Sequence, residues 1–318
     1  MQIPALSSLF NPTNPRVGWF AVCLKNNGVF FSHVVRANNK SRVTKCTFCP
    51  AESLMPAALE KLRKDLHVGN FQFITLLAPG DYQILMVDAP NVPVTELKTA
   101  IRWRIKDALS YHVDDATVDV LQIPTNKQGG DRPQSLYAVV APNETIQKRI
   151  ALFESARIDL KVIDIPEMAQ RNIAELFEEN GRGLAMLAFD ESGGMLTFTS
   201  GGELFMARRI EITLGQLQDA DEAMRAQYLD RVELEVQRSQ DYFGRQFHHI
   251  SVSRLLVSAP EHLGLVQKLS ENLDLPVEAL DLAQVLDISA VPELADSEFA
   301  AQALPSLGAA LRFERRAL

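Results

Sequence analysis

The residues best suited to bind a ligand lie at a glycine turn near the middle of the chain. Asp190 ends one apolar run, and Ser192, Gly193 and Gly194 lead into the next. Backbone N–H groups of a tight glycine turn can bind a phosphate, and a neighbouring carboxylate can help to hold its Mg²⁺. These four residues therefore form a candidate phosphate turn. The alternative is that Asp190 only caps a turn at a strand end and that no ligand binds there.

This turn belongs to a pattern that the chain contains twice. Residues 17–35 read as a strand, an Asn27-Gly28 turn and a returning strand, and residues 184–212 repeat the design with glycine-pair turns. Asn-Gly between β-prone runs favours a hairpin, because both turn positions need a positive φ. The repetition predicts a duplicated β-meander, each copy followed by helices, and hence two related α/β lobes that face each other. In folds of this kind the two hairpins hold a phosphate chain between them.

The composition is that of a globular protein. Its 318 residues suffice for two or three domains, and 47% are hydrophobic and 23% charged. The net charge of −8 argues against nucleic-acid binding, which needs a clustered basic surface. No apolar run approaches the ~18 residues that span a bilayer, and no signal peptide is evident at the start, so we expect a cytoplasmic protein.

The order of turns and apolar runs predicts a domain organisation. Residues 1–16 are expected to form an irregular lead-in, 17–90 and 143–182 the first lobe, 91–142 an inserted α/β subdomain, and 183–318 the second lobe, with a long helix around 219–247. Two further predictions concern connections. Residues 71–87 read as a hairpin, and residues 292–306 read as a loose acidic connection.

Two other constellations have both a functional and a purely structural interpretation. Cys46 and Cys49 have the spacing of half a zinc site or of a redox pair, but a four-ligand site needs a second pair, so they are better explained as small residues at a strand end. Lys98, Arg102 and Lys106 form one basic helix face beside Trp103. This face is either a solvated surface or a contact for anionic lipid or an acidic partner.

Residues 232–243, with Glu235, Arg238 and Ser239, resemble a helix of the PilM-like pilus assembly proteins, and most closely of their MSHA-type (mannose-sensitive haemagglutinin) branch. Residues 187–210 resemble its second phosphate hairpin, and the remaining similar segments occur in the family's order: 100–119, 162–167 and 307–312. Together they cover most of the chain from 17 to 312.

The resemblance implies an actin-like fold, ribonuclease H-like in its duplicated meander, with a small α/β insertion in the first lobe. It also implies a cytoplasmic scaffold, peripheral at the inner membrane, that binds the N-terminal tail of a PilN-like membrane protein and other pilus platform components. The tail is expected in a groove between the first lobe and its insertion, with residues 93–123 as one wall. The expected partner-binding residues are Ile101, Trp103, Ile105 and Val120.

The same resemblance implies that the nucleotide site is degenerate. The family's Val-Gly-Ile-Asp-Ile reads Val17-Gly18-Trp19-Phe20-Ala21 here, so Phe20 stands where a carboxylate is expected. In the second hairpin, Glu191 and Ser192 differ from the residues that the family has at these positions. Residues 255–260 lack the glycine pair that the family has near the adenine-binding position. We therefore expect no catalytic residue, no metal and no required cofactor, with ATP and Mg²⁺ as the alternative.

Two alternative functions remain open at this stage. One is an active actin-like ATPase whose nucleotide state gates partner binding, and Phe20 is the feature against it. The other is a cytoplasmic scaffold of a type II secretion system, similar to the protein GspL. The lack of a membrane-spanning run disfavours this alternative.

Overall fold

The computed structural model describes residues 18–37, 40–50, 55–65, 71–124 and 135–313. The predicted lead-in 1–16 lies outside the described residues. The strands are β1 Trp19–Lys25, β2 Gly28–Val35, β3 Ser41–Pro50, β4 Gln72–Leu76, β5 Gln83–Asp88, β6 Ala116–Gln122, β7 Ser135–Pro142, β8 Leu160–Asp164, β9 Gly183–Asp190, β10 Gly193–Ser200, β11 Glu203–Ile210, β12 Val252–Ser258, β13 Val277–Ala279 and β14 Leu286–Asp287. The α-helices are α1 Met55–Asp65, α2 Val94–Ile105, α3 Asn143–Ser155, α4 Pro166–Phe177, α5 Leu214–Asp219, α6 Glu222–Gln246, α7 Leu265–Asn272 and α8 Ser297–Ala310.

The two large sheets have the same strand order, which confirms the duplication read from the hairpins. The first sheet runs β14-β3-β2-β1-β4-β8 and the second β11-β10-β9-β12-β13. In each sheet an antiparallel meander of three strands is followed by two parallel strands. The five shared strands therefore follow one plan, and β14 adds an edge to the first sheet.

The small third sheet has the order β5-β7-β6. The predicted hairpin over residues 71–87 is wrong, because β4 pairs with β1 and β8, whereas β5 pairs with β7. β4 is almost fully buried and fits the centre of a parallel sheet, so the turn at residues 78–81 connects two sheets instead of closing a hairpin. The small sheet consequently starts at residue 83.

Helices α4 and α8 lie at the centre of the molecule and join the two halves. The predicted loose connection over 292–306 is wrong, because α8 begins at Ser297, where the Asp296 side chain caps it by accepting from Phe299 N at 2.8 Å. Nine residues of α8 are buried, mostly small or apolar ones. The two helices approach so closely that a Cβ on Gly308 would lie 2.6 Å from the carbonyl carbon of Ala169.

The apolar core follows this plan. One cluster lies between α4, α8 and both large sheets, with Ala21, Ile74, Ile173, Met186 and Leu307 among its members. A second cluster fills the other face of the second sheet beneath α6, a third lies beneath α1 and α3, and a fourth lies between α2 and the small sheet. None of the described helices is long and apolar enough to cross a bilayer.

Candidate functional site

The ends of the two repeated hairpins lie side by side. In the first hairpin, Lys25 ends β1 and pairs with Gly28 across a two-residue turn. In the second hairpin, Asp190 ends β9 and pairs with Gly193 across a two-residue turn. Lys25 Nζ lies 3.0 Å from Asp190 Oδ2 and 3.9 Å from Glu191 Oε1.

Both carboxylate oxygens of Asp190 have a partner within the protein. Oδ2 accepts from Lys25, and Oδ1 accepts from the backbone N–H of Ser192 at 2.8 Å. Asp190 therefore caps the turn, as the simpler interpretation of the sequence expects. A cation at Asp190 would lie close to the Lys25 ammonium, and the two positive charges would repel each other.

The two glycines of the candidate phosphate turn belong to the sheet. Gly194 pairs with Phe189 on one side and with Ile210 on the other, so its backbone lies inside the ladder. A Cβ on Gly193 would meet the carbonyl oxygen of Ile210 at 2.7 Å, and a Cβ on Gly194 would meet the Phe189 ring at 2.7 Å. Close packing between strands explains why these positions are glycine.

Phe20 does not occupy the position that faces Asp190. Its side chain is 2% exposed and lies in the core beneath α1 and α3, with its ring centroid 5.5 Å from that of His33. Side chains alternate along a strand, so Phe20 lies on the face opposite Ala21, Cys23 and Lys25. Lys25 is thus the residue that the sequence reasoning missed. Counting back from the turn of each hairpin would have identified it.

Little space remains beside Asp190. The cavity there has a volume of about 30 Å³, and Gln170, Met195, Leu304 and Pro305 are among its lining residues. Ligand pockets for nucleotide-sized molecules usually reach ~300 Å³ or more, whereas this cavity can hold only about one or two water molecules. The residues present and their spacing do not fit adenosine triphosphate with Mg²⁺ in this arrangement. Across the described part of the chain, no cluster of three or more His, Cys, Asp or Glu residues could hold a metal.

A polar triad, in which Tyr82 and Glu167 are buried and Arg209 reaches the surface, lies next to this cavity. The Tyr82 hydroxyl donates to Glu167 Oε2 at 2.5 Å, and Arg209 Nη2 donates to Glu167 Oε1 and to Tyr82 Oη, each at 2.9 Å. Burial and the nearby Glu167 carboxylate raise the pKa of the Tyr82 hydroxyl well above its usual range. Burial alone would lower the pKa of Arg209, but Glu167 and Tyr82 outweigh it and raise that pKa. The triad joins α4 to β11 and to the segment before β5.

A second buried carboxylate ends β8. Asp164 Oδ2 lies 2.6 Å from Arg312 Nη1, and Asp164 Oδ1 accepts from Ile165 N at 2.9 Å. Burial raises the pKa of the Asp164 carboxyl, and Arg312 opposes this shift. Arg312 follows α8 directly, so this ion pair joins the end of that helix to the first sheet.

A groove of about 330 Å³ separates the small sheet from the first large sheet. β6 and β8 form its walls, and each of these strands pairs with one neighbour only among the described strands, so each has an unpaired edge. Leu121, Val139, Ile146, Ile150 and Ile163 are among the residues that line it. A second groove, of about 460 Å³, lies between β5 and β11 and includes Met86 and Tyr242.

The residues predicted to bind the partner are divided between surface and core. Ile101, Ile105 and Val120 are 0%, 1% and 7% exposed and pack the core between α2 and the small sheet. In β6, alternation directs Val120 toward α2 and places Thr117, Asp119 and Leu121 along the groove. Trp103 is 67% exposed and lies on the far side of α2 from this core.

Two of the three side chains on the basic helix face, those of Lys98 and Arg102, make contacts within the protein. Lys98 Nζ lies 2.7 Å from Asp119 Oδ1, and Arg102 donates to the carbonyl oxygens of Val113 and Ala116. These two side chains hold α2 against the start and middle of β6. This favours the structural interpretation of the face over a lipid contact.

The two cysteines of the zinc-like spacing lie on different faces of β3. Cys46 is 5% exposed and packs in the central core, whereas Cys49 packs against the cluster beneath α1 and α3. Burial raises the pKa of the Cys46 thiol to about 11. This geometry excludes a shared metal at the pair in this structure.

The repeated strand order, with helices between two facing sheets, defines the class: the chain has the actin-like fold. It is similar to a chain of the PilM-PilN type IV pilus biogenesis complex, with a TM-score of 0.70 and 15% identity over 92% of this chain and 99% of that one. It is also similar to the cytoplasmic domain of EpsL, an inner-membrane component of the type II secretion system of Vibrio cholerae (TM-score 0.50, 14% identity, 88% and 97% covered). A Bacteroides thetaiotaomicron protein of unknown function, described as having an actin-like ATPase fold, matches with a TM-score of 0.50 and 10% identity over 88% and 96% of the two chains. Neither a family model nor a curated protein matches the sequence.

Proposed function

We propose that this protein is a non-catalytic scaffold of a type IV pilus assembly platform. It works at the cytoplasmic face of the inner membrane, where it binds the N-terminal tail of a PilN-like membrane protein and contacts other platform components. The finer assignment is to the MSHA-type pilus, in the place of MshI. The ordered sequence segments and the likeness to the PilM-PilN complex over 92% of this chain support this proposal.

The arrangement of the sheets supports a domain organisation close to the one read from the sequence. We assign residues 17–82 and 143–182, with the first large sheet apart from its edge strand β14, to the first lobe, and residues 183–318 to the second lobe. The insertion, placed at 91–142 from the sequence, extends back to residue 83, because β5 belongs to the small sheet. Its groove with the first lobe is the expected site for the tail.

The observation that carries the proposal is the pair of unpaired strand edges in that groove. An extended peptide can add a strand to an exposed sheet edge, with main-chain hydrogen bonds giving affinity and side-chain pockets giving specificity. β6 and β8 both have such an edge, and apolar side chains lie between them. A tail with alternating apolar residues would place one face on Leu121, Ile150 and Ile163 and the other toward water.

Peptide binding to the full chain tests this proposal. A labelled N-terminal peptide of the PilN-like protein is titrated with the wild type and with Ile150→Glu, and fluorescence anisotropy is followed. Ile150 is 40% exposed and lines the groove, so a carboxylate there should remove an apolar contact without disturbing a buried core. We expect binding to weaken about thirtyfold, which corresponds to ~2 kcal/mol for the loss of one anchor.

Met86→Glu is the matched control. Met86 is 43% exposed and lines the other groove, between β5 and β11. The Met86→Glu variant should bind the peptide with the same affinity as the wild type. Equal affinity of Ile150→Glu and wild type, or loss of binding in Met86→Glu alone, would contradict the proposed location, and absence of binding by the wild type would contradict the proposed partner.

The likeness to the EpsL cytoplasmic domain supports a second candidate, a scaffold of a type II secretion system. The same titration distinguishes the two when cytoplasmic segments of secretion-system components replace the pilus peptide. Tighter binding of a secretion segment than of the PilN-like tail would favour this second candidate.

A further inference from the structure

The duplicated hairpins place opposite charges at equivalent positions. Lys25 and Asp190 each end the first strand of a hairpin, and a two-residue turn and a glycine follow each of them. The shared strand order makes these positions equivalent in the two halves of the molecule. A site built to hold a cation between the hairpins would place oxygen ligands there and no second positive charge. Here one of the two positions carries an ammonium.

The ammonium is close enough to act as the counter-ion of the second hairpin. Lys25 Nζ lies 3.0 Å from Asp190 and 3.9 Å from Glu191, and its side chain is only 11% exposed. Asp190 is 24% exposed, so the pair is partly withdrawn from solvent and less screened than a surface pair. A lysine ammonium is a compact charge with three donors, and it can contact two carboxylates together.

Two more ion pairs connect the halves in the same region. Glu167 of α4 binds Arg209 of β11 at 2.9 Å, and Asp164 of β8 binds Arg312 after α8 at 2.6 Å. Asp190, Glu167 and Asp164 thus each have a basic partner from an element of the other half. The partners come from β1, β11 and the end of α8, which are far apart in sequence.

We propose that Lys25 is a built-in cation that takes the place of a ligand-borne one, so that the two halves are held together by the chain's own ion pairs. A cation at Asp190 would be repelled by an ammonium that is already largely buried and bonded there. A nucleotide would also need the space that Leu304, Pro305 and Gln170 fill. The two halves are therefore held in the described arrangement by contacts within the chain. This inference shares one premise with the proposed function, namely that the scaffold works without binding a nucleotide.

A double-mutant cycle on the full chain tests the ion pair. Wild type, Lys25→Met, Asp190→Asn and the double variant are compared by thermal melting and by amide hydrogen exchange of both hairpin turns, with no ligand added. Each single variant should lower Tm and raise exchange at both turns about tenfold, because it leaves a partly buried charge without its partner. The double variant should be no worse than the more damaged single variant, since partners in one contact are not additive. Lys161→Met is the matched control, since Lys161 pairs with Asp159 at 2.6 Å within one loop and strand, and it should leave Tm and exchange at the turns unchanged.

A second experiment tests the substitution of the cation. Lys25→Asp restores a carboxylate at the equivalent position, so it should melt below Lys25→Met without Mg²⁺ and recover by several degrees in millimolar Mg²⁺. The wild type should melt at one temperature with or without millimolar ATP and Mg²⁺. Three outcomes would each overturn the inference. They are a double variant whose loss of Tm equals the sum of the two single losses, a Lys25→Asp variant whose Tm does not change with Mg²⁺, and a wild-type Tm that rises with Mg-ATP. Peptide anisotropy of the wild type and of Lys25→Met separates this result from the proposed function. If the wild type did not bind the tail, the proposed function would fail, but the melting results would still stand.

Discussion

The close approach of α4 and α8 gives the sharpest prediction for stability. Gly308→Ala adds a Cβ that would overlap the carbonyl oxygen of Ala169 and lie 2.6 Å from its carbonyl carbon, whereas ordinary contact begins at 3.4 Å. The obstacle is backbone, which cannot rotate away as a flexible side chain does. The two helices must therefore separate by about 1 Å.

The magnitude follows from three contributions. Overpacking a well-packed core lowers the free energy of unfolding by ~1–3 kcal/mol, and rigid backbone on both sides places this site in the upper half of that range. Separation also weakens the buried hydrogen bond from Asn172 Nδ2 to Gly308 O, now 2.8 Å, which contributes ~1 kcal/mol. Alanine regains ~1 kcal/mol of helix propensity over glycine. The net expectation is a free energy of unfolding lower by about 2–3 kcal/mol.

Urea unfolding followed by circular dichroism measures this change. Gly244→Ala is the matched control, because Gly244 lies in α6 with no atom within 4 Å of a built Cβ. That variant should gain ~0.5–1 kcal/mol from helix propensity alone. If Gly308→Ala were as stable as the wild type or shifted like Gly244→Ala, the close packing of α4 on α8 would be refuted.

Two further predictions concern titratable groups in the core. The Cys46 thiol, with its pKa raised to about 11 by burial, should react with a thiol reagent at pH 8 far more slowly than the half-buried Cys49; a Cys49→Ser variant that still labels at the wild-type rate would contradict this. Burial raises the pKa of the Asp164 carboxyl above its ordinary value of 3.8, so its protonated form is favoured by folding, and the stability it contributes is present at low pH and declines as the pH rises through the raised pKa. On acidification from pH 7 to pH 4, the free energy of unfolding of the wild type should therefore rise relative to that of Asp164→Asn. A difference between the two that does not depend on pH would contradict the assignment.

The sequence was sufficient for the duplicated meander, because turn chemistry and strand alternation are local signals. The turns near Asn27 and Gly193 fixed the two hairpins, and the repeated strand order confirmed their relation. The same reasoning failed at residues 71–87, where two adjacent strands with a turn between them enter different sheets. It also failed at α8, because Pro305 and the acidic residues before it are typical of a loop. The stability of this helix comes from its burial between two sheets, which the sequence pattern does not show.

The candidate site was only partly accessible from the sequence. Asp190, Ser192, Gly193 and Gly194 were found from the glycine turn between two apolar runs, whereas their contacts as a capped turn and as tightly packed strand residues came from the strand register. Phe20 was assigned to the carboxylate position by pattern, although strand alternation directs it to the opposite face. Ile101, Ile105 and Val120 look like anchors in a linear list, but they are the apolar side of α2 and β6.

The amino-acid sequence by itself therefore determined the local elements: the hairpins, the long helix α6 and the amphipathic face of α2. These depend on backbone preferences and on periodicity, which neighbours along the chain set. Only the tertiary structure decided which charges meet, because Lys25 and Asp190 are 165 residues apart and become partners through the pairing of two sheets around α4 and α8. The groove between β6 and β8 arises for the same reason, since an unpaired strand edge is a property of a sheet and not of a strand.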